Sequence, residues 1–202
     1  MGFDGDIMEI LLARAKKHLI ESLEVKRILL NEGMETVVQA AELLVNAFKS
    51  RKKLLLCGNG GSAADCQHMA TEFVSRLSAD FDRDGLPAMA LTTDTSYLTA
   101  YANDFGFGGV FERQVLTFGN QGDILIGIST SGNSANVIRA ITAAQKKQMK
   151  TIAIIGKSGT MAKICDIVIS VPSQDTQYIQ EAHLAIEHII CDLVEQGIFN
   201  KS

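Results

Sequence analysis

The chain has 202 residues, of which 47% are hydrophobic, and it carries a net charge of −4 at pH 7. This length fits one domain with a substantial core, and the acidic balance argues against nucleic-acid binding, which depends on Lys and Arg. No apolar stretch approaches a membrane span, and the first ten residues lack a signal-peptide or myristoylation pattern. Four cysteines without CxxC spacing indicate reduced thiols. We therefore expect a cytoplasmic protein that binds neither membranes nor nucleic acid.

Residues 6–50 have the periodicity of two amphipathic helices with a break near Asn31-Glu32-Gly33. This segment precedes the first predicted strand and so lies outside the alternating pattern that follows. It either covers a sheet face of its own domain or packs against another subunit. We favour the subunit contact, because two long helices exceed what one small sheet needs. We therefore divide the chain into an N-terminal helical arm, 1–52, and the domain formed by 53–202.

From residue 53 onward, short apolar runs alternate with helical patterns. The predicted strands are 53–57, 88–92, 124–128, 151–155 and 167–171. Helical patterns lie near 62–78, 109–118, 134–148 and 177–196. Continuous apolar strands separated by helices are typical of a parallel sheet covered on both faces. The prediction is an α/β fold: a three-layer, doubly wound, five-stranded parallel sheet of the flavodoxin-like kind.

Two strand–loop–helix segments resemble each other, with loops at 58–62 and 129–134. In such a sheet, ligands bind at the carboxyl ends of the strands, where these loops lie. The second loop places four hydroxyls before a helix N-terminus, whose unpaired N–H groups suit a phosphate dianion. The alternative is a capping turn in which Ser134 serves only its own helix. We favour phosphate binding, because four hydroxyls exceed what capping needs.

The sequence contains incomplete versions of two nucleotide-binding motifs. The first loop matches G-x-G-x-x-A, but that motif also needs an acidic residue about twenty residues further on, at the end of the second strand. Here the acidic residue at the end of the second predicted strand is Asp94, roughly thirty residues on. Gly156-Lys157-Ser158 resembles the end of a P-loop, yet position 151 is Thr151 where that motif needs its first glycine. We expect neither dinucleotide binding nor P-loop hydrolysis.

Two predicted helices carry side chains suited to acid–base chemistry. His68 and Glu72 are spaced i, i+4 and share a helix face, while Gln180 and His188 lie on the last helix near His183 and Glu187. We expect much of the helix that carries His68 and Glu72 to be buried, because apolar residues flank the pair: Ala64, Met69, Ala70, Phe73 and Val74. A buried carboxylate and imidazole need partners, which a metal or a substrate would supply.

These side chains supply the functional groups that enolisation requires. Removing a proton next to a carbonyl needs a positioned base, and the enediolate oxygen needs an acid or a cation. Glu72 as base and His188 as acid would serve, with a metal ion as a possible electrophile.

Four motifs occur in order: CGNGGSAADCQHMATEF at 57–73, NDFGF at 103–107, GISTSGNS at 127–134, and YIQEAH at 178–183 followed by His188. Together they closely resemble the phosphoheptose isomerases, which are sedoheptulose 7-phosphate isomerases of the SIS (sugar isomerase) family. The resemblance runs through essentially the whole chain. One departure is Gln177-Tyr178, where the family commonly has Ala-Arg.

The resemblance implies conversion of D-sedoheptulose 7-phosphate to D-glycero-D-manno-heptose 7-phosphate, the first step of bacterial activated-heptose biosynthesis. It also implies a homotetramer with active sites at subunit interfaces and one zinc per subunit. The zinc ligands implied are His68, Glu72, Gln180 and His188, with catalytic roles for Glu72 and His188. The substrate-binding residues implied are Asn59, Gly60, Gly61, Ser62, Glu72, Asn103, Asp104, Ser129, Thr130, Ser131, Ser134 and Gln180.

Two questions remain open at this point. Gln180 and His188 lie about 12 Å apart along a regular helix, so binding one ion requires converging side chains or a helix end near Gln180. The alternatives to the isomerase are a non-catalytic SIS protein, like the DnaA-binding initiator-associating protein, and an SIS isomerase for another phosphosugar. The non-catalytic relative lacks the acid–base set, which this chain retains.

Overall fold

The computed structural model describes residues 4–79 and 81–199. Two helices, α1 (Gly5–Glu32) and α2 (Met34–Lys49), come first and meet at Gly33, within the predicted break. The strands are β1 (Leu54–Gly58), β2 (Ala88–Ala90), β3 (Ile124–Ser129), β4 (Lys150–Ile155) and β5 (Ile167–Ser170). The remaining helices are α3 (Gly61–Val74), α4 (Thr95–Phe105), α5 (Val110–Phe118), α6 (Ala135–Lys146) and α7 (Thr176–Phe199). Short 3-10 turns occupy Phe107–Gly109 and Thr160–Lys163.

All strand pairs are parallel, and the strand order is β2-β1-β3-β4-β5. The predicted α/β fold with a doubly wound five-stranded sheet is therefore confirmed. The order reverses between β1 and β3, which pair from Leu54 with Ile124 to Gly58 with Ile128. Such a switch point leaves a crevice at the carboxyl ends of the two strands. The loops 58–62 and 129–134 border that crevice.

The strands are apolar throughout because both faces of the sheet are covered. Every residue of β1 and β3 is buried. Leu54 and Leu56 pack into one core with α2, α3 and α7. Leu55 and Cys57 pack into the other core with α5 and α6. This alternation explains why the strands read as continuous hydrophobic runs and not as a two-residue repeat.

Helix α4 was not predicted. None of its residues is fully buried, so the segment carries no strong apolar stripe for periodicity analysis to detect. Its N-terminus nevertheless has a capping residue, because the Asp94 carboxylate accepts a hydrogen bond from the Tyr97 backbone N–H at 2.9 Å. Helix α3 is also shorter than predicted and ends at Val74.

The two N-terminal helices differ in how they pack. Helix α2 contributes buried side chains such as Val37, Leu44 and Phe48 to the core beneath α7, so it covers the sheet of its own domain. Helix α1 has three buried residues and a stripe of exposed leucines at heptad-like spacing: Leu12, Leu19, Leu23 and Leu30, each 53–65% exposed. Within the described ranges, no helix is long and apolar enough to cross a membrane.

Candidate active site

The loop after β3 gathers its hydroxyls at one point. The Ser129 Oγ atom lies 2.9 Å from Ser134 Oγ and 3.4 Å from Ser131 Oγ. The turn depends on Gly132, whose φ of +62° suits glycine. Ser134 directly precedes α6, yet its side chain forms no capping hydrogen bond. The capping alternative therefore does not describe this loop, and the hydroxyls converge beside a helix N-terminus.

The loop after β1 is joined to this hydroxyl loop by a pair of amides. Asn59 Nδ2 donates to Asn136 Oδ1 at 2.9 Å, and Asn136 Nδ2 donates to Asn59 Oδ1 at 2.8 Å. Asn136 is 6% exposed and stands in the first turn of α6. The sequence does not predict a role for Asn136, because its partner is 77 residues away and no local pattern connects them.

A cavity of about 240 Å³ opens beside the hydroxyl loop. It lies between the ends of β3 and β4 and the start of α7. Its lining residues are Thr130, Ser131, Lys157, Ser158, Ser173, Gln174, Thr176 and Ile179. Two of the predicted phosphate-binding residues, Thr130 and Ser131, are among them. In the sequence, Lys157 and Ser158 belong only to an incomplete P-loop motif.

Helices α3 and α7 lie side by side and bring the predicted acid–base residues together. The His68 Nε2 atom is 2.8 Å from His188 Nε2 and 3.8 Å from Glu72 Oε1. Nearer the loop end of α3, the Gln180 carboxamide lies so close to Gly61 that a Cβ there would overlap its nitrogen. Helix α7 runs unbroken from Thr176, so no helix end at Gln180 shortens the distance to His188.

The expectation that this part of α3 is buried was wrong for the imidazole. The His68 side chain is 41% exposed, against 16% for Glu72, and His188 is exposed. Ala64 and Val74 are exposed as well. Met69, Ala70 and Phe73 are buried as expected, on a stripe that also contains Ser62 and Cys66 and faces the sheet. The histidine pair is therefore open to solvent or to another subunit.

Helix α7 also carries buried polar side chains. His183 and Glu187 are both 0% exposed, and within the described residues the Glu187 carboxylate oxygens have no hydrogen-bond partner. Burial lowers the pKa of His183 to about 4, although the neighbouring Ile155 backbone acts in the opposite direction. Burial, with Asp65 adding repulsion, raises the pKa of Glu187 to about 9. Both side chains are therefore uncharged at pH 7.

Asn103 and Asp104 lie apart from the other predicted site residues. They occupy the exposed last turn of α4, where Asn103 Nδ2 donates to Asp104 Oδ1 at 3.0 Å. Helix α4 packs with α5 on the face of the sheet opposite α3 and α7. A single chain therefore does not place these two residues beside the histidine pair.

Comparison with known proteins identifies the family. The SIS domain family matches residues 18–156. The phosphoheptose isomerase of Clostridium acetobutylicum is 49% identical over 89% of this chain and 92% of its own length, and that of Roseiflexus is 50% identical over 89% and 91%. The structure of phosphoheptose isomerase GmhA from Neisseria gonorrhoeae is 44% identical, with a TM-score of 0.87 over 92% of this chain and 99% of that one.

The chain belongs to the phosphoheptose isomerase family. Its members are sugar-phosphate isomerases, so the resemblance inferred from the four motifs is confirmed at the level of family and enzyme class. The non-catalytic alternative is not favoured. A second solved structure, the phosphoheptose isomerase of Francisella tularensis, agrees with this assignment at 35% identity and a TM-score of 0.88.

The zinc implied by the phosphoheptose isomerase family can be tested against the donors present. Zinc prefers imidazole, thiolate and carboxylate ligands, and in a tetrahedral site neighbouring ligand atoms lie about 3.4 Å apart. The separations of 2.8 and 3.8 Å around His68 Nε2 fall on either side of that value. Among residues 4–79 and 81–199, no three His, Cys, Asp or Glu side chains already enclose a metal position. The ligand types present thus fit zinc. To form a four-coordinate site, the His68, Glu72 and His188 side chains would have to move and the Gln180 carboxamide would have to supply the fourth ligand.

Proposed function

We propose that this chain interconverts D-sedoheptulose 7-phosphate and D-glycero-D-manno-heptose 7-phosphate through an enediol or enediolate. The observation that supports this most directly is the pairing of His68 with His188 next to Glu72, in a member of the phosphoheptose isomerase family. Three buried free cysteines and a half-buried fourth suit a reducing compartment, so the reaction is proposed for the cytoplasm. Recovery of the protein from a periplasmic fraction would contradict that placement.

The phosphate end of the substrate is proposed to bind at the hydroxyl loop. Ser129, Ser131 and Ser134 present converging hydroxyls, and Thr130 lines the adjacent cavity. Hydroxyls and the N-terminal N–H groups of α6 can donate hydrogen bonds to phosphate oxygens. The loop after β1, with Asn59, Gly60, Gly61 and Ser62, would border the sugar chain.

The carbonyl end is proposed to lie at the α3–α7 pair. Isomerisation moves one proton between two neighbouring carbons and one between their oxygens. Glu72 would remove the proton from the carbon next to the carbonyl and return it to the adjacent carbon. His188 would donate a proton to the carbonyl oxygen and accept one from the neighbouring hydroxyl.

The residues proposed to hold zinc are His68, Glu72, Gln180 and His188. When bound, the ion would act as a Lewis acid that polarises the substrate carbonyl. The test is metal analysis of the purified protein, with activity measured before and after chelation. Full activity in metal-free protein would remove zinc from the proposal.

We also propose that the chain forms a homotetramer in which the site is completed between subunits. The exposed leucine stripe of α1 and the separation of Asn103 and Asp104 from the histidine pair both support this. The double variant Leu19→Glu/Leu23→Glu should dissociate the assembly and lose activity, as measured by light scattering and turnover. A fully active monomer would contradict an interface site.

The decisive experiment is incubation with sedoheptulose 7-phosphate followed by detection of the aldoheptose product. Glu72→Gln should lower kcat by about 10²–10⁴-fold, because general-base catalysis contributes that much, while the protein keeps its fold and its substrate affinity. The matched control is Glu42→Gln on the exposed face of α2, which should act like the unmodified protein. Unchanged turnover in Glu72→Gln would reject Glu72 as the base.

A further inference from the structure

The cavity beside the hydroxyl loop is lined by polar but almost entirely neutral groups. Its lining residues comprise five hydroxyl side chains, a glutamine, an isoleucine and one charged side chain, that of Lys157. A sugar phosphate brings a dianion into this space. Neutral hydroxyls can donate hydrogen bonds to it, but they cannot balance its charge.

The segment that carries Lys157 is joined to the hydroxyl loop by backbone contacts. The Gly156 N–H donates to Thr130 O at 3.2 Å, and the Met161 N–H donates to Gly132 O at 3.0 Å. The close approach at Gly156 requires glycine, because a Cβ there would overlap the Thr130 carbonyl oxygen. The backbone around Lys157 is therefore held in a fixed position relative to the hydroxyls.

A side-chain contact fixes the same segment further along. The Asn133 carboxamide oxygen accepts hydrogen bonds from the Thr160 N–H at 2.8 Å and from the Thr160 hydroxyl at 2.9 Å. Contacts thus occur on both sides of Lys157, at Gly156 and at Thr160. The lysine projects from a loop whose two ends are both attached to the hydroxyl loop.

Lys157 has no ion-pair partner within the described part of the chain. Two lysines at the opposite ends of the strands are paired, Lys53 with Asp123 at 2.6 Å and Lys150 with Asp166 at 3.0 Å. Lys157 is exposed and borders a second depression that also contains Glu32, yet no ion pair joins the two. Its ammonium group is available to an anion in the cavity.

We propose that Lys157 is a substrate-binding residue whose ammonium group contacts the phosphate of the sugar phosphate. This inference rests on the proposed function and adds a cation that the hydroxyl motif does not contain. Lysine acts here as a point charge on a flexible stem, which suits a phosphate that enters an otherwise neutral cavity. The lysine would contribute to binding and not to the proton transfers.

The test compares Lys157→Met with the control variant Lys163→Met. Lys163 is an exposed lysine at the end of the adjacent 3-10 turn. Lys157→Met should raise KM for sedoheptulose 7-phosphate by about tenfold, the loss expected for one charge-assisted contact, with kcat nearly unchanged. Lys157→Arg should retain most of the affinity. Lys163→Met should match the unmodified enzyme. Equal KM values for Lys157→Met and Lys163→Met would overturn the proposal.

A second measurement does not depend on turnover. Inorganic phosphate should raise the melting temperature of the unmodified protein and of Lys163→Met, with a smaller rise for Lys157→Met at the same concentration. If phosphate stabilises all three proteins equally, the role of Lys157 is refuted even if the isomerase activity is real. If sedoheptulose 7-phosphate is not converted but the phosphate effect depends on Lys157, the proposed reaction fails and the anion contact stands.

Discussion

A buried ion pair offers the most quantitative stability test. Arg83, in the segment between α3 and β2, is 2% exposed in its side chain, and its Nε lies 2.8 Å from Oε1 of the fully buried Glu195. Its other nitrogens donate to the backbone oxygens of Phe73 at 2.8 Å and Glu72 at 2.7 Å. The guanidinium therefore satisfies carbonyls at the C-terminal end of α3, including that of the proposed base.

Arg83→Met should destabilise the protein strongly. The substitution leaves the Glu195 carboxylate buried without its cation. It also removes the donor to the Glu72 carbonyl and one of the two donors to the Phe73 carbonyl, which keeps the Leu86 N–H. Breaking one partner of a buried ion pair costs about 3–5 kcal/mol. Against a typical free energy of unfolding of about 5–15 kcal/mol, this is a large fraction.

The assay is urea unfolding at pH 7, followed by circular dichroism at one protein concentration, since oligomerisation would make stability concentration-dependent. The control is Arg27→Met, which breaks an exposed pair with Glu24 at 2.7 Å, where the two side chains are 62% and 53% exposed. That variant should show no measurable change, because solvent screens exposed pairs. The double variant Arg83→Met/Glu195→Leu should recover stability relative to Arg83→Met. An Arg83→Met protein as stable as Arg27→Met would refute the reasoning.

The other predictions concern α7 and the loop after β1. Because the pKa of His183 is about 4 in the folded protein and about 6.5 when unfolded, the unfolded chain binds the proton first. The His183 contribution to stability is then complete above pH 6.5 and is lost toward pH 4 by up to about 3 kcal/mol. Glu187, whose pKa is raised to about 9, has the opposite pH dependence, so both proteins are compared in a Glu187→Gln background. There, urea midpoints across this range should change less when His183→Gln is added, and identical pH profiles would contradict the buried neutral histidine. Gly61→Ala should displace the Gln180 carboxamide and lower kcat/KM about tenfold, whereas Gly5→Ala, with open space around it, should have no effect. Equal activities for the two glycine variants would show that the Gln180 position does not matter. Asn136→Ala should remove the link between the two loops and raise KM, and a steady-state assay that finds KM unchanged would exclude a role for the Asn59–Asn136 pair.

Much of this protein was determined by local patterns in the sequence. Buried strands appear as short continuous apolar runs because both sheet faces are covered, so all five strands were predicted to within two residues at each end. Parallel strands separated by helices leave little choice of topology, which placed the loops 58–62 and 129–134 at one edge. The motifs at 57–73 and 127–134 then indicated the family, since each combines a strand end, a glycine turn and a helix start.

Tertiary structure alone decided which surfaces these elements present. Periodicity identifies the apolar face of a helix but not what covers it, so the sequence patterns of α1 and α2 are similar. In the structure, however, α2 packs on its own sheet, whereas α1 leaves leucines exposed. Contacts between distant segments, such as Asn59 with Asn136 and Gly156 with Thr130, leave no mark on local sequence. The exposure of His68, the burial of His183 and the position of Lys157 beside the hydroxyls likewise depend on how whole helices and loops pack, because burial and proximity are properties of the assembled chain.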